Sequence, residues 1–71
     1  MNDAIYQIRV QGELDTRWQS RFAGMTIAHT PAGETIITGP VVDQAALFGL
    51  LNLIRDLGLE LIAVERRSTI S

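Results

Sequence analysis

Cysteine and lysine are absent from this 71-residue sequence, histidine occurs once, and aromatic residues make up 6% of it. Each absence removes a class of chemistry. Without cysteine there is no disulfide to brace a small core, no thiolate nucleophile and no thiolate metal site. A structural zinc site needs several nitrogen or sulfur ligands, and His29 stands alone among scattered acids. The six basic residues are all arginine and face eight acids, for a net charge of −2. The charges are spread without runs, so no field attracts nucleic acid or an anionic membrane. No glycine-rich phosphate loop occurs: Gly12, Gly24, Gly33, Gly39 and Gly58 fit breaks, stops or turns, and only Gly49 does not. Ser20, Ser68 and Ser71 lie in no nucleophile motif. The longest apolar stretches fall far short of the ~20 residues that span a bilayer. Met1-Asn2-Asp3 is not followed by the basic and apolar regions of a secretory leader, which makes a cytoplasmic protein the expectation.

What is present is a pattern for one small domain, with its ordered core expected over about residues 4–66. A chain of this size buries only about 60% of its unfolded surface, so packing or self-association has to supply what disulfides do not. Ala4 to Gln11 alternates, with Tyr6, Ile8 and Val10 on one face and Gln7, Arg9 and Gln11 on the other, a strand buried on one side. Asp15 is placed to cap a short helix that ends at Gly24, with Trp18 and Phe22 four residues apart and so on one face. Met25 to Thr30 and Glu34 to Gly39 read as a hairpin around Pro31-Ala32-Gly33. A type I turn followed by a left-handed bulge at Gly33 pairs Ile27 with Ile37. Pro40 is expected to end that strand.

The second helix is the best-marked element. Asp43 caps it, and Leu47, Leu50, Leu51, Ile54 and Leu57 form an apolar stripe at about 100° per residue. Gly58 stops it, with Leu59 folding back on Ile54 in a Schellman motif. Leu61 to Glu65 is the last strand. The expected fold class is therefore α+β: a ferredoxin-like βαββαβ sandwich, with an antiparallel sheet in the order 4-1-3-2 and two helices on one face. Tyr6, Ile8, Val10, Met25, Ile27, Ile37, Ile62 and Val64 would then face the helices. Ile5, Arg9, Ala28, Ile36, Leu61 and Ala63 would lie on the open face, with Glu65 the nearest carboxylate for Arg9.

Two stretches, LDTRW followed by FAGMTI and GPVVDQAALFGLL followed by RDLGLELIAV, resemble a family of short bacterial proteins of unassigned function. The likeness covers about Tyr6 to Val64, and it carries no catalytic residue over. An RNA-recognition reading of a βαββαβ order needs aromatics on the open face of the central strands. Those positions hold Gln7, Arg9, Ile36 and Thr38.

The leading expectation is a non-enzymatic interaction or regulatory module that forms a homodimer through its sheet face, with no cofactor, metal, nucleic acid or membrane partner. Its candidate interface comprises Ile5, Arg9, Ile36, Leu61 and Ala63 on the sheet. On the second helix, Phe48 flanks the smooth stripe of Ala45, Gly49 and Asn52, so Phe48 and Gly49 are candidates too. The rival expectation is a ligand-binding or enzymatic ferredoxin-like dimer with a pocket lined by Tyr6, Trp18, Phe22 and His29. Tyr6 and Trp18 are amphipathic enough to line a pocket or fill a core.

Overall fold

The computed structural model describes residues 3–22 and 24–70 of the chain. Strand β1 (Asp3–Gln11) leads through a 3₁₀ turn (Thr16–Phe22) to β2 (Thr26–His29) and β3 (Glu34–Val41). Helix α1 (Gln44–Asp56) and strand β4 (Glu60–Ile70) complete it. The strands form one antiparallel sheet in the order β2-β3-β1-β4, or β4-β1-β3-β2 from the opposite edge. Ile8, Val10 and Ile37 from the sheet are buried with Leu14, Phe22, Val41, Leu47 and Ile54. The core therefore lies between one face of the sheet and the α1 layer, and the other face is uncovered.

The ferredoxin-like sandwich does not describe this chain. It requires two helices above the sheet, and here the layer holds one α-helix and a seven-residue 3₁₀ turn. The cause is length. A seven-residue segment forms too few i→i−4 hydrogen bonds to offset helix nucleation, so it tightens into 3₁₀ geometry instead. Asp15 still caps it, accepting from the Arg17 amide at 3.0 Å, while the Trp18 amide donates to the Asp15 carbonyl at 2.9 Å. The tighter winding separates the two aromatics. At about 120° per residue, positions four apart no longer share a face. Phe22 is fully buried, whereas Trp18 only leans on the core.

Helix α1 follows its sequence signals. Asp43 Oδ1 accepts from the Ala46 amide at 2.8 Å. At the other end, the Gly58 amide donates to Arg55 and the Leu59 amide to Ile54, with Gly58 at φ +78°. That is the Schellman pair of hydrogen bonds. The hairpin also matches its turn chemistry. The Gly33 amide reaches the Thr30 carbonyl, Gly33 has φ +82°, and Ile27 pairs with Ile37. Pro40 does not end β3, which continues to Val41. Beyond Thr38 that strand has no β2 neighbour, and proline is tolerated where a strand has become an edge.

Strand β4 departs most from the alternating pattern. Its pairing with β1 slips twice, between Ile5 and Tyr6 and between Arg9 and Val10. The second slip inserts Ile62 as a bulge and pairs Leu61 with Val10. Directly paired residues share a face, so Leu61 moves from the expected open face to the helix side.

Candidate functional site

Four candidate interface residues sit together on the open face. Arg9 pairs with Ile36 on one side and Ala63 on the other, and Ile36 pairs with Ala28, which makes one row across all four strands. Ile5 lies four residues back along β1, opposite Pro40. Between them runs a polar row of Thr26, Thr38, Gln7 and Glu65. The two isoleucines are therefore separate apolar points in a mixed surface, and both are partly covered. Arg9 Nε lies 3.7 Å from Glu34 Oε1 on the neighbouring strand. Glu65 does not serve Arg9; it is 3.3 Å from Arg67 Nη1 instead. The exchange follows from the sheet: Glu34 is diagonal to Arg9 on β3, and Arg67 lies two residues from Glu65 on its own strand.

Leu61 lies away from this group. It lines a groove of about 440 Å³ with Leu51, Ile54, Arg55, Gly58, Leu59 and Glu60, along the seam between α1 and β4. Phe48 is exposed on the same flank of the helix, one turn before Leu51 and two before Arg55. Gly49 is exposed as well, and a Cβ added there would meet no atom within 4 Å.

The four residues of the rival pocket do not line a common cavity. Phe22 lines a groove of about 260 Å³ with Arg21, Met25, Pro40, Val41, Val42, Ala46 and Leu50. Trp18 lines a smaller one of about 110 Å³ with Glu13, Leu14, Asp15, Leu57 and Leu59. Tyr6 and His29 line none of the three. Tyr6 packs against the core, and His29 Nε2 is 3.4 Å from the Leu14 carbonyl oxygen at the sheet edge. The Trp18 ring is flanked by two guanidinium groups, Arg17 at 5.9 Å and Arg21 at 5.7 Å. The second contact follows from 3₁₀ geometry, in which residues three apart eclipse. Among the described residues no group of three or more His, Cys, Asp or Glu side chains could hold a metal ion.

One structurally central residue escaped the sequence reading. Thr35 is completely buried, and its hydroxyl donates to the Gly12 carbonyl at 2.7 Å while accepting from the Leu14 amide at 3.1 Å. It ties the end of β1 and the approach to the 3₁₀ turn onto β3. The available signal was its parity: Thr35 lies two residues before Ile37, so it is a polar side chain on the apolar face.

A family model described as a domain of unknown function (DUF8691) matches residues 5–65. No curated protein and no solved structure matches the chain. Among the described residues no helix is long and apolar enough to cross a membrane.

Proposed function

We propose that this chain, which belongs to the DUF8691 family of unknown function, is a small non-enzymatic interaction module that self-associates through its sheet. The observation that carries this reading is apolar surface left uncovered on a minimal core. Among the described residues nine hydrophobic side chains are buried, while Val42, Phe48, Leu61 and Ile62 remain exposed. For a domain of this size, covering such surface against another copy adds stability that its own core lacks. Two further features agree with a binding role. Among the described residues the titratable side chains form no catalytic constellation within hydrogen-bond reach: the ion pairs are Arg9–Glu34, Arg17–Asp15, Arg55–Asp56 and Arg67–Glu65, all at least partly exposed. The grooves are shallow and mainly apolar in lining. A bacterial family belongs to the same proposal, resting on the resemblance of the LDTRW and GPVVDQAALFGLL stretches.

Light scattering over a micromolar to millimolar concentration series tests the reading. The expected result is an average mass that rises toward twice 7.8 kDa. A constant 7.8 kDa species throughout the series refutes it.

A further inference from the structure

We infer that Met25 is a reversible oxidation site, at which an oxidant of the peroxide class converts the thioether to the sulfoxide and so loosens the 3₁₀ turn and β2 from β3. This site requires no second copy of the chain and stands apart from the self-association reading.

The sequence holds two sulfur atoms, those of Met1 and Met25, and no cysteine. Peroxide therefore meets thioethers and no thiol. Met25 occupies a joint. Its amide donates to the Phe22 carbonyl at 2.9 Å, closing the 3₁₀ turn, and the next residue begins β2. Among the described residues β2 is a four-residue edge strand paired only with β3, so little else holds it. The Met25 side chain packs against the core, and its sulfur lies over Gly39 of β3, where an added Cβ would come 2.6 Å from Sδ. Gly39 is buried and is not one of the glycines with positive φ. Its missing side chain therefore serves this close approach and not a special backbone conformation.

The other side of Met25 is open to reagent. The residue is only partly buried and lines the groove of about 260 Å³ with Arg21, Phe22, Val41 and Leu50. A sulfur lone pair attacks one oxygen of hydrogen peroxide. The S–O bond forms as the O–O bond breaks, and a proton shift releases the second oxygen as water. The sulfoxide does not fit the seat. Sδ already stands nearer to Gly39 than a methyl group there would allow, so no oxygen can be added on that side. On the groove side the oxygen would lie against Phe22, Val41 and Leu50, whose side chains offer a strong acceptor no donor. Arg21 is the one lining side chain that carries donors. The oxidised side chain therefore swings off Gly39 toward Arg21 and water. β2 loses its anchor, and the core loses a packed side chain.

Dilute hydrogen peroxide on the folded full chain tests this, with peptide mapping to separate Met25 from Met1. Met25 should gain one oxygen without prior unfolding. The melting temperature should then fall by about 4 °C or more, and the amides of residues 26–29 should exchange faster. Reduction by thiol-dependent methionine sulfoxide reductases, one for each sulfur epimer, should restore both readouts. In Met25→Leu, which keeps an apolar side chain of similar size, peroxide should leave the melting temperature where it was. Oxidation of Met25 only as fast as the chain globally unfolds overturns the inference. So does a sulfoxide that leaves melting and exchange unchanged, or a leucine variant that shifts as much as wild type. Should the leucine variant not fold, the reductase step on the wild type decides. A melting temperature that stays low once Met25 is again a thioether places the lesion elsewhere and overturns the site.

Discussion

Replacing Thr35 by valine isolates what one buried hydroxyl does. Valine keeps the branched shape, so the perturbation is the loss of the hydrogen bonds to Gly12 and Leu14 and not of packing volume. The two partners differ. Gly12 is only partly buried, and water can replace the hydroxyl at its carbonyl. Leu14 is buried at 4% exposure, and its amide would lose its partner inside the protein. An unsatisfied buried amide costs about 1–3 kcal/mol, so Thr35→Val should lose about 2 kcal/mol. Thr35→Ser makes the complementary change: it keeps both hydrogen bonds and loses one buried methyl, a smaller cost of about 1 kcal/mol. Urea unfolding followed by far-UV circular dichroism measures both, with the single tryptophan, Trp18, as a second probe of two-state behaviour. In a domain of this size each kcal/mol moves the melting temperature by about 4–8 °C. A valine variant as stable as wild type, or more stable than the serine variant, would refute the view that this hydroxyl pins the start of the crossover.

The two aromatics of the 3₁₀ turn should separate by burial. Phe22→Ala is expected to cost about 3–5 kcal/mol as a fully buried ring, and Trp18→Ala less than half of that, as read by chemical denaturation. Equal costs would mean that the two rings act as one anchor. Two glycines should also respond in opposite directions. Gly49→Ala adds a methyl into open space on a helix and should stabilise by about 0.5–1 kcal/mol with assembly unchanged in sedimentation. Gly39→Ala places its Cβ 2.6 Å from Met25 Sδ and 3.0 Å from the Gly24 carbonyl oxygen, and should destabilise by about 1–3 kcal/mol in thermal melts.

Signals written within a few residues were legible because their chemistry is local. The Asp43 cap, the Gly58 stop and the Pro31-Ala32-Gly33 turn each satisfy backbone groups close in sequence, and each forms as its residue types require. The 3₁₀ turn was misjudged because Trp18 and Phe22 carry helical spacing in a segment too short to sustain an α-helix. Spacing says which residues share a face once a helix exists. It does not supply the hydrogen bonds that make one. The ferredoxin-like reading failed with that single element, since it depended on a second helix in the layer.

The candidate site was legible only in part, for a related reason. Alternation along β4 assigns Leu61 and Ala63 to one face, and that holds only while every residue of the strand meets one residue of its neighbour. The bulge at Ile62 breaks the count, so Ala63 stays beside Arg9 on the open face while Leu61 crosses to the helix side. Nothing in the run of apolar residues around it marks where two will oppose one. The consequence reaches beyond one side chain. With Leu61 on the open face, the apolar residues there would have approached a continuous patch. With Leu61 beside Leu51 at the seam, the exposed apolar surface gathers at the edge of the sheet instead. A single inserted residue thus shifts the argument for self-association from a face-to-face contact to an edge-to-edge one. The edge is also where the β4 backbone, paired only with β1, keeps unused hydrogen-bonding groups.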